Sequence, residues 1–169
     1  KAIYLTKDPE FHARVADVPD SSLPAGNVTL RVEYSTVNFK DGLAITNASP
    51  VVRTWPMVAG IDGAGVVEES DYPAWRPGDR VILNGWGAGE SYWGCLAQKA
   101  KLKGEWLVKL PDAIGSDTAA AMMLQGMTVQ YLFHSAAPLK AGDTILFHAA
   151  AGGVGLIACQ WARALGVNL

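Results

Sequence analysis

The segment Thr144-Ile145-Leu146-Phe147-His148 leads into Ala149-Ala150-Ala151-Gly152-Gly153-Val154-Gly155, and Leu156 to Leu165 follows with helical spacing. An apolar strand, a glycine turn and a helix in that order constrain the fold more than any other stretch of the chain. They are the repeating unit of an α/β sheet, whose parallel strands are covered on both faces and need neighbouring strands. The turn also suits a phosphate. A nucleotide pyrophosphate is held by backbone N–H groups free of intervening side chains, at a helix N-terminus whose dipole favours negative charge. The usual glycine spacing for this task is G-x-G-x-x-G, whereas here Ala149-x-x-Gly152-x-x-Gly155 carries an extra glycine at 153. A tight packing turn without a ligand is the alternative reading of the same residues.

Upstream, residues 1 to about 110 read as short strands separated by Pro and Gly. Asn27 to Val37 alternates with period two, Val58 to Glu68 is a glycine-rich turn into a strand, and Arg76-Pro77-Gly78-Asp79 turns into Arg80-Val81-Ile82-Leu83. No amphipathic helix is expected between them, so the pattern predicts a small barrel or sandwich. After Pro111 the texture becomes helical. Ser116, Asp117 and Thr118 are N-cap candidates before Ala119 to Leu124, Gly126 is expected to interrupt the helix, and Thr128 to Phe133 to resume it. Pro138 to Asp143 is a turn into the strand described above.

Length and charge narrow the function. The chain has 169 residues, half of them hydrophobic, and 14 Lys and Arg against 16 Asp and Glu. This near balance argues against nucleic acid or an anionic membrane as the main partner. No apolar run approaches the roughly 18 residues of a membrane span, and no signal peptide is read in Lys1 to Asp8, so a cytoplasmic location is expected. The two cysteines, Cys95 and Cys159, suggest buried small side chains rather than a disulfide framework. His148, in the predicted strand, is expected to be packed.

Taken together, Val37-Asn38-Phe39-Lys40-Asp41, Gly60-Ile61-Asp62-Gly63-Ala64-Gly65, Pro77-Gly78-Asp79-Arg80-Val81 and Ala149 to Gly155 resemble the medium-chain dehydrogenase/reductase superfamily, in its zinc-free quinone oxidoreductase and enoyl reductase branch. Asn38 to Thr46, Pro56 to Asp62 and Gly85 to Glu90 are similar to bacterial acrylyl-CoA reductases. From about Ala121 the chain resembles NADPH quinone oxidoreductases. The resemblance implies an α+β chain: a GroES-like β-barrel over residues 1–115, then a helical connector and the start of a Rossmann domain over 116–169, truncated within that domain. It implies NADPH as cofactor, with hydride transfer to a quinone or to an activated C=C such as an acryloyl thioester. No metal is expected. Zinc-dependent relatives place Cys where Asn38 stands and a His-Glu pair where Ile61-Asp62 stands, and one carboxylate is a poor zinc site.

The same resemblance selects site residues. Asn38 is expected near the nicotinamide, with a side-chain amide that both donates and accepts. Lys40, Asp41 and Arg53 are the other catalytic candidates; Lys40 and Asp41 read equally well as an ion pair or a helix start, and Arg53 as a cation for a CoA phosphate or an enolate oxygen. Phe39 stands where acrylyl-CoA reductases commonly have Tyr. Thr128, Ala149, Gly152, Gly153, Val154 and Gly155 complete the expected cofactor contacts. Trp86 and Trp93 among glycines suggest a loop beneath a flat substrate, or plain edge packing. Adenosine ribose is read about 20 positions beyond such a turn, past Leu169, so the residues leave NADH and NADPH equal. Two functions follow: a reductase impaired by its incomplete cofactor domain, possible as a homo-oligomer, or a non-catalytic module that pairs the strand Thr144 to His148 with a partner chain.

Overall fold

A computed structural model describes all residues, 1–169, and they form two compact units, Lys1–Ala121 and Met122–Leu169. The first unit holds every strand. β1 (Ala2–Lys7), β2 (Phe11–Ala16) and β4 (Met57–Val58) form one sheet in the order β2-β1-β4. β3 (Val28–Tyr34), β5 (Asp62–Ser70), β6 (Arg80–Asn84), β7 (Lys99–Leu102) and β8 (Leu107–Lys109) form a second, in the order β7-β3-β5-β6-β8, with antiparallel pairing throughout. The alternation read in the sequence is what builds the core. Val28 and Leu30 of β3 meet Val67, Val81, Leu83, Ala100 and Leu102 in one apolar cluster. Each such large side chain removed from water contributes about 1.5–3 kcal/mol.

One element was not expected. α1 (Phe39–Thr46) stands between β3 and β4, so the strands are not helix-free. Its start is fixed by a capping box: the Asp41 carboxylate accepts from the Asn38 N–H at 2.8 Å, and the Asn38 side chain meets the Asp41 backbone. Asn47 ends it in the left-handed region at φ 51, where Asn is tolerated. Two turns containing Gly42 and the β-branched Ile45 and Thr46 leave too weak a period to see in sequence.

α2 (Ser116–Tyr131) begins at Ser116, and its irregularity falls at Met123 (φ −21, ψ −106) rather than at Gly126, which is buried within the helix. A π turn, Leu132–Ala136, follows. In the second unit, Val129, Phe133, Ala158, Ala162 and Val167 make a separate small core. The small side chains Ala158 and Ala162, four apart on α3 (Gly153–Ala164), give that helix one close-packing face.

The predicted strand Thr144 to His148 does not form. Thr144 makes a single parallel bridge to Asn168, with Ile145 N–H donating to Asn168 O at 2.9 Å and Asn168 N–H to Asp143 O at 2.8 Å. A parallel strand is stabilised by neighbours, and Val167 to Leu169 supply only one bridge. In consequence Leu146 is 87% exposed, and His148, expected to be packed, is an exposed turn residue.

Candidate functional site

In the first unit the site is built where α1 meets the start of β5. Two carboxylates, Asp41 and Asp62, are buried to 1% and 0% exposure. Asp41 accepts from Asn38 N–H with Oδ2 and from Ile61 N–H, at 3.1 Å, with Oδ1. Asp62 accepts from Thr36 N–H at 2.9 Å and from the Thr36 and Ser35 hydroxyls. The Asn38 amide lies between them: its Nδ2 is 2.9 Å from Asp62 Oδ2, 3.2 Å from Asp41 Oδ2 and 3.1 Å from Thr36 Oγ1. Charged acceptors make the stronger hydrogen bonds, so they fix the amide's orientation. Burial raises the Asp41 carboxyl above the usual carboxylate range, the Asn38 donors pull it back, and Asp62 adds to the rise.

Cys95 lies beside this pair. A Cβ at Gly63 would stand 2.8 Å from its Sγ, and burial, with the Asp62 and Asp41 charges, pushes its thiol up to about 12. A thiol that stays protonated is a poor nucleophile. Cys95 is buried as its sequence context suggests, whereas Ser35, Thr36 and the hydrogen-bonding role of Asp62 were not read from the sequence. The one local signal was Asn38-x-x-Asp41, which is capping-box spacing.

The loop from Gly85 to Gly94 ties in the remaining first-unit candidates. Lys40 Nζ pairs with Glu90 Oε1 at 2.9 Å, and Arg53 N–H donates to Glu90 O at 2.7 Å. Arg53 is exposed and its guanidinium has no ion pair, whereas Lys40 is already paired. The loop can lie this close only because of glycine. A Cβ at Gly94 would fall 2.0 Å from Gly60 O, and Gly60 itself sits at φ 111.

In the second unit, Ala149 adopts φ 54 and its carbonyl accepts Gly152 N–H at 2.9 Å. α3 then opens at Gly153. The N–H groups of Gly153, Val154 and Gly155 belong to the first turn, which an α-helix leaves without partners of its own. A Cβ at Gly155 would lie 2.6 Å from Ala149 O, so only glycine lets the helix start this close to the turn. A Cβ at Gly153 would stand 3.2 Å from Gln125 Cγ. Thr128 is exposed and its hydroxyl donates to Leu124 O at 2.8 Å, so it is engaged within α2.

These elements define a GroES-like domain followed by a glycine turn into a helix, the arrangement of medium-chain dehydrogenase/reductases. The alcohol dehydrogenase GroES-like domain family matches residues 24–112, and the chain belongs to it. Within that class it is similar to the acrylyl-CoA reductase AcuI of Ruegeria pomeroyi, at 40% identity over 99% of this chain and 53% of the relative. A quinone oxidoreductase of Pseudomonas aeruginosa is 49% identical over 68% of this chain and 34% of that protein. The crystal structure of the yhdH oxidoreductase from Salmonella enterica in complex with NADP superposes with a TM-score of 0.92 at 38% identity, over 98% of this chain and 52% of that one. The chain spans about half the length of the curated relatives it matches. No helix is long and apolar enough to cross a membrane.

Proposed function

We propose that this chain belongs to an NADPH-dependent reductase that delivers hydride to a quinone or to an activated C=C such as an acryloyl thioester, without zinc. The glycine turn carries the reading: Gly152 to Gly155 opens α3 with three first-turn N–H groups, and its close approach forbids a side chain at 155. Those groups, with the positive end of the helix dipole, suit a pyrophosphate. Bound there, the dinucleotide would supply the hydride, and the protein's part is to hold and polarise.

The first unit supplies the rest. Asp41 and Asp62 lock the Asn38 amide, and Arg53 offers an unpaired guanidinium for a phosphate or a developing enolate oxygen. The zinc-free reading is supported by the donor set. The buried carboxylates are occupied by N–H and O–H donors, and no group of three or more His, Cys, Asp and Glu could hold a metal ion. The relatives' names and the bound NADP of the Salmonella structure support the reductase and cofactor parts of the reading.

The test is a titration of the chain with NADPH, joined to turnover of benzoquinone and of acryloyl-CoA. Binding with turnover of either acceptor supports the reading and names the acceptor, whereas no NADPH binding defeats it for this chain. One observation favours a second reading. Leu146 is 87% exposed on a segment with strand composition and one bridge, which suits pairing with a strand supplied from elsewhere. Particle mass in solution separates the two: a strict monomer counts against pairing between copies.

A further inference from the structure

The loop that follows β6 presents a large ring, Trp86, that takes no part in the Asn38 network. Trp86 is 60% exposed and adopts φ 56 between Gly85 and Gly87, both at φ 78. A bulky residue in the left-handed region persists only where its surroundings hold it, and such residues cluster at ligand sites. Here the holding group is Trp106. It is buried in the first unit's core, and its ring lies 6.3 Å from that of Trp86 with planes 9° apart. Tyr92 closes on Trp106 at 4.9 Å. The exposed ring is therefore backed by Trp106, which Tyr92 braces in turn, and its orientation is set in advance.

A cation lies over the two inner rings. Lys103 Nζ lies 5.1 Å from the Trp106 ring and 5.5 Å from Tyr92, and it makes no ion pair. At the root of the loop, Asn84 Oδ1 is buried with no hydrogen-bond partner, on the β6 position that faces Asp62 of β5. A buried acceptor without a donor is uncommon in folded proteins. Trp93 offers a contrast. Its ring meets Tyr4 edge-on and its Nε1 donates to Pro56 O at 2.9 Å, so its contacts are structural.

We infer that Trp86, backed by Trp106, whose ring Tyr92 and Lys103 also contact, is a stacking platform for a planar conjugated ring that carries negative charge. The ring covers the open face of Trp86, and the anion meets the Lys103 ammonium. Two sources share this chemistry: the adenosine bisphosphate end of a CoA thioester, and a quinone bearing an acidic substituent. The inference rests on the reductase reading only in treating the ligand as part of a substrate. Binding is therefore measured without nicotinamide nucleotide, so that either idea can fail alone.

Isothermal titration of the chain with adenosine bisphosphate in one arm and anthraquinone sulfonate in the other makes the test. One probe binds, and which one identifies the source. Trp86→Ala weakens it about tenfold or more, the scale of losing one stacked ring, while Trp86→Phe keeps most of the affinity. Lys103→Met weakens the charged probe several-fold and leaves an uncharged analogue, such as adenosine, unchanged. Should Trp86→Ala fail to fold by circular dichroism, the Lys103→Met comparison decides. The inference is overturned if neither probe binds, if folded Trp86→Ala binds like the native chain, or if Lys103→Met affects charged and uncharged probes alike.

Discussion

Replacing Asp41 by Asn tests the buried network where one side chain serves the most partners. The shape is kept, but one oxygen becomes an amide nitrogen. Asn38 N–H and Ile61 N–H donate to different Asp41 oxygens, at 2.8 and 3.1 Å, so the amide can accept one and must face the other with its own N–H. A buried donor left unpaired costs about 1–3 kcal/mol. An opposing effect is that Asn carries no charge, so the penalty of burying a carboxylate beside Asp62 vanishes. The two effects differ in their dependence on pH. Burial and Asp62 raise the Asp41 carboxyl above its ordinary 3.8, so the folded chain keeps a proton that the unfolded chain has released. Stability from this group is thus fully present below about pH 3.8 and is lost as pH rises through the folded-state value. Asp41→Asn has no such titration. The stability gap between native chain and variant should be widest below about pH 3.8 and narrow toward pH 7, where the variant is still weaker by about 1 kcal/mol. Urea unfolding followed by tryptophan fluorescence reads this, since Trp55, Trp75, Trp86, Trp93 and Trp106 all lie within Lys1–Ala121. A gap that widens as pH rises would show Asp41 to be a stabilised anion and would refute the argument.

Other substitutions probe the remaining features. Gly155→Ala places a methyl group 2.6 Å from Ala149 O and Ala150 Cα, so NADPH affinity in a fluorescence titration should fall more than tenfold; an unchanged affinity would remove the turn from the nucleotide site. Ala149→Gly relieves a left-handed backbone at φ 54 and should stabilise the second unit by about 0.5 kcal/mol, read from Trp161 fluorescence during urea unfolding. Gly94→Ala drives a Cβ to within 2.0 Å of Gly60 O and should abolish soluble expression of the folded chain. Glu90→Gln breaks the pair with the half-exposed Lys40 and should cost less than about 1 kcal/mol in urea unfolding, with a smaller difference at high salt.

The sequence made much of the first unit legible because alternation and turn chemistry are local. Val28, Leu30 and Val32 repeat with period two, and Pro77-Gly78-Asp79 turns the chain into β6 without help from distant residues. What escaped depends on contacts far apart in sequence. Asp62 is held by Ser35 and Thr36, more than 20 positions earlier, and nothing near Asp62 announces their hydroxyls. α1 escaped because its capping spacing was outweighed by Gly42 and Thr46. The segment Thr144 to His148 misled in the opposite sense. Its composition suits a strand, but a strand is a property of the pair, and the partner within this chain extends to one bridge. Asn38 was singled out through resemblance. Its use as a clasp between two carboxylates came only from the geometry.

The burial of Cys95 gives the molecule a gauge of its own motion. The residue is 1% exposed, burial keeps its thiol protonated, and Gly63 leaves it no spare room, so an alkylating reagent reaches it only when the first unit opens. Cys159 stands half-buried on α3, in the other unit. The two thiols thus act as separate clocks. Timed labelling with mass-spectrometric readout would record how often each half of the chain breathes, with no engineered probe.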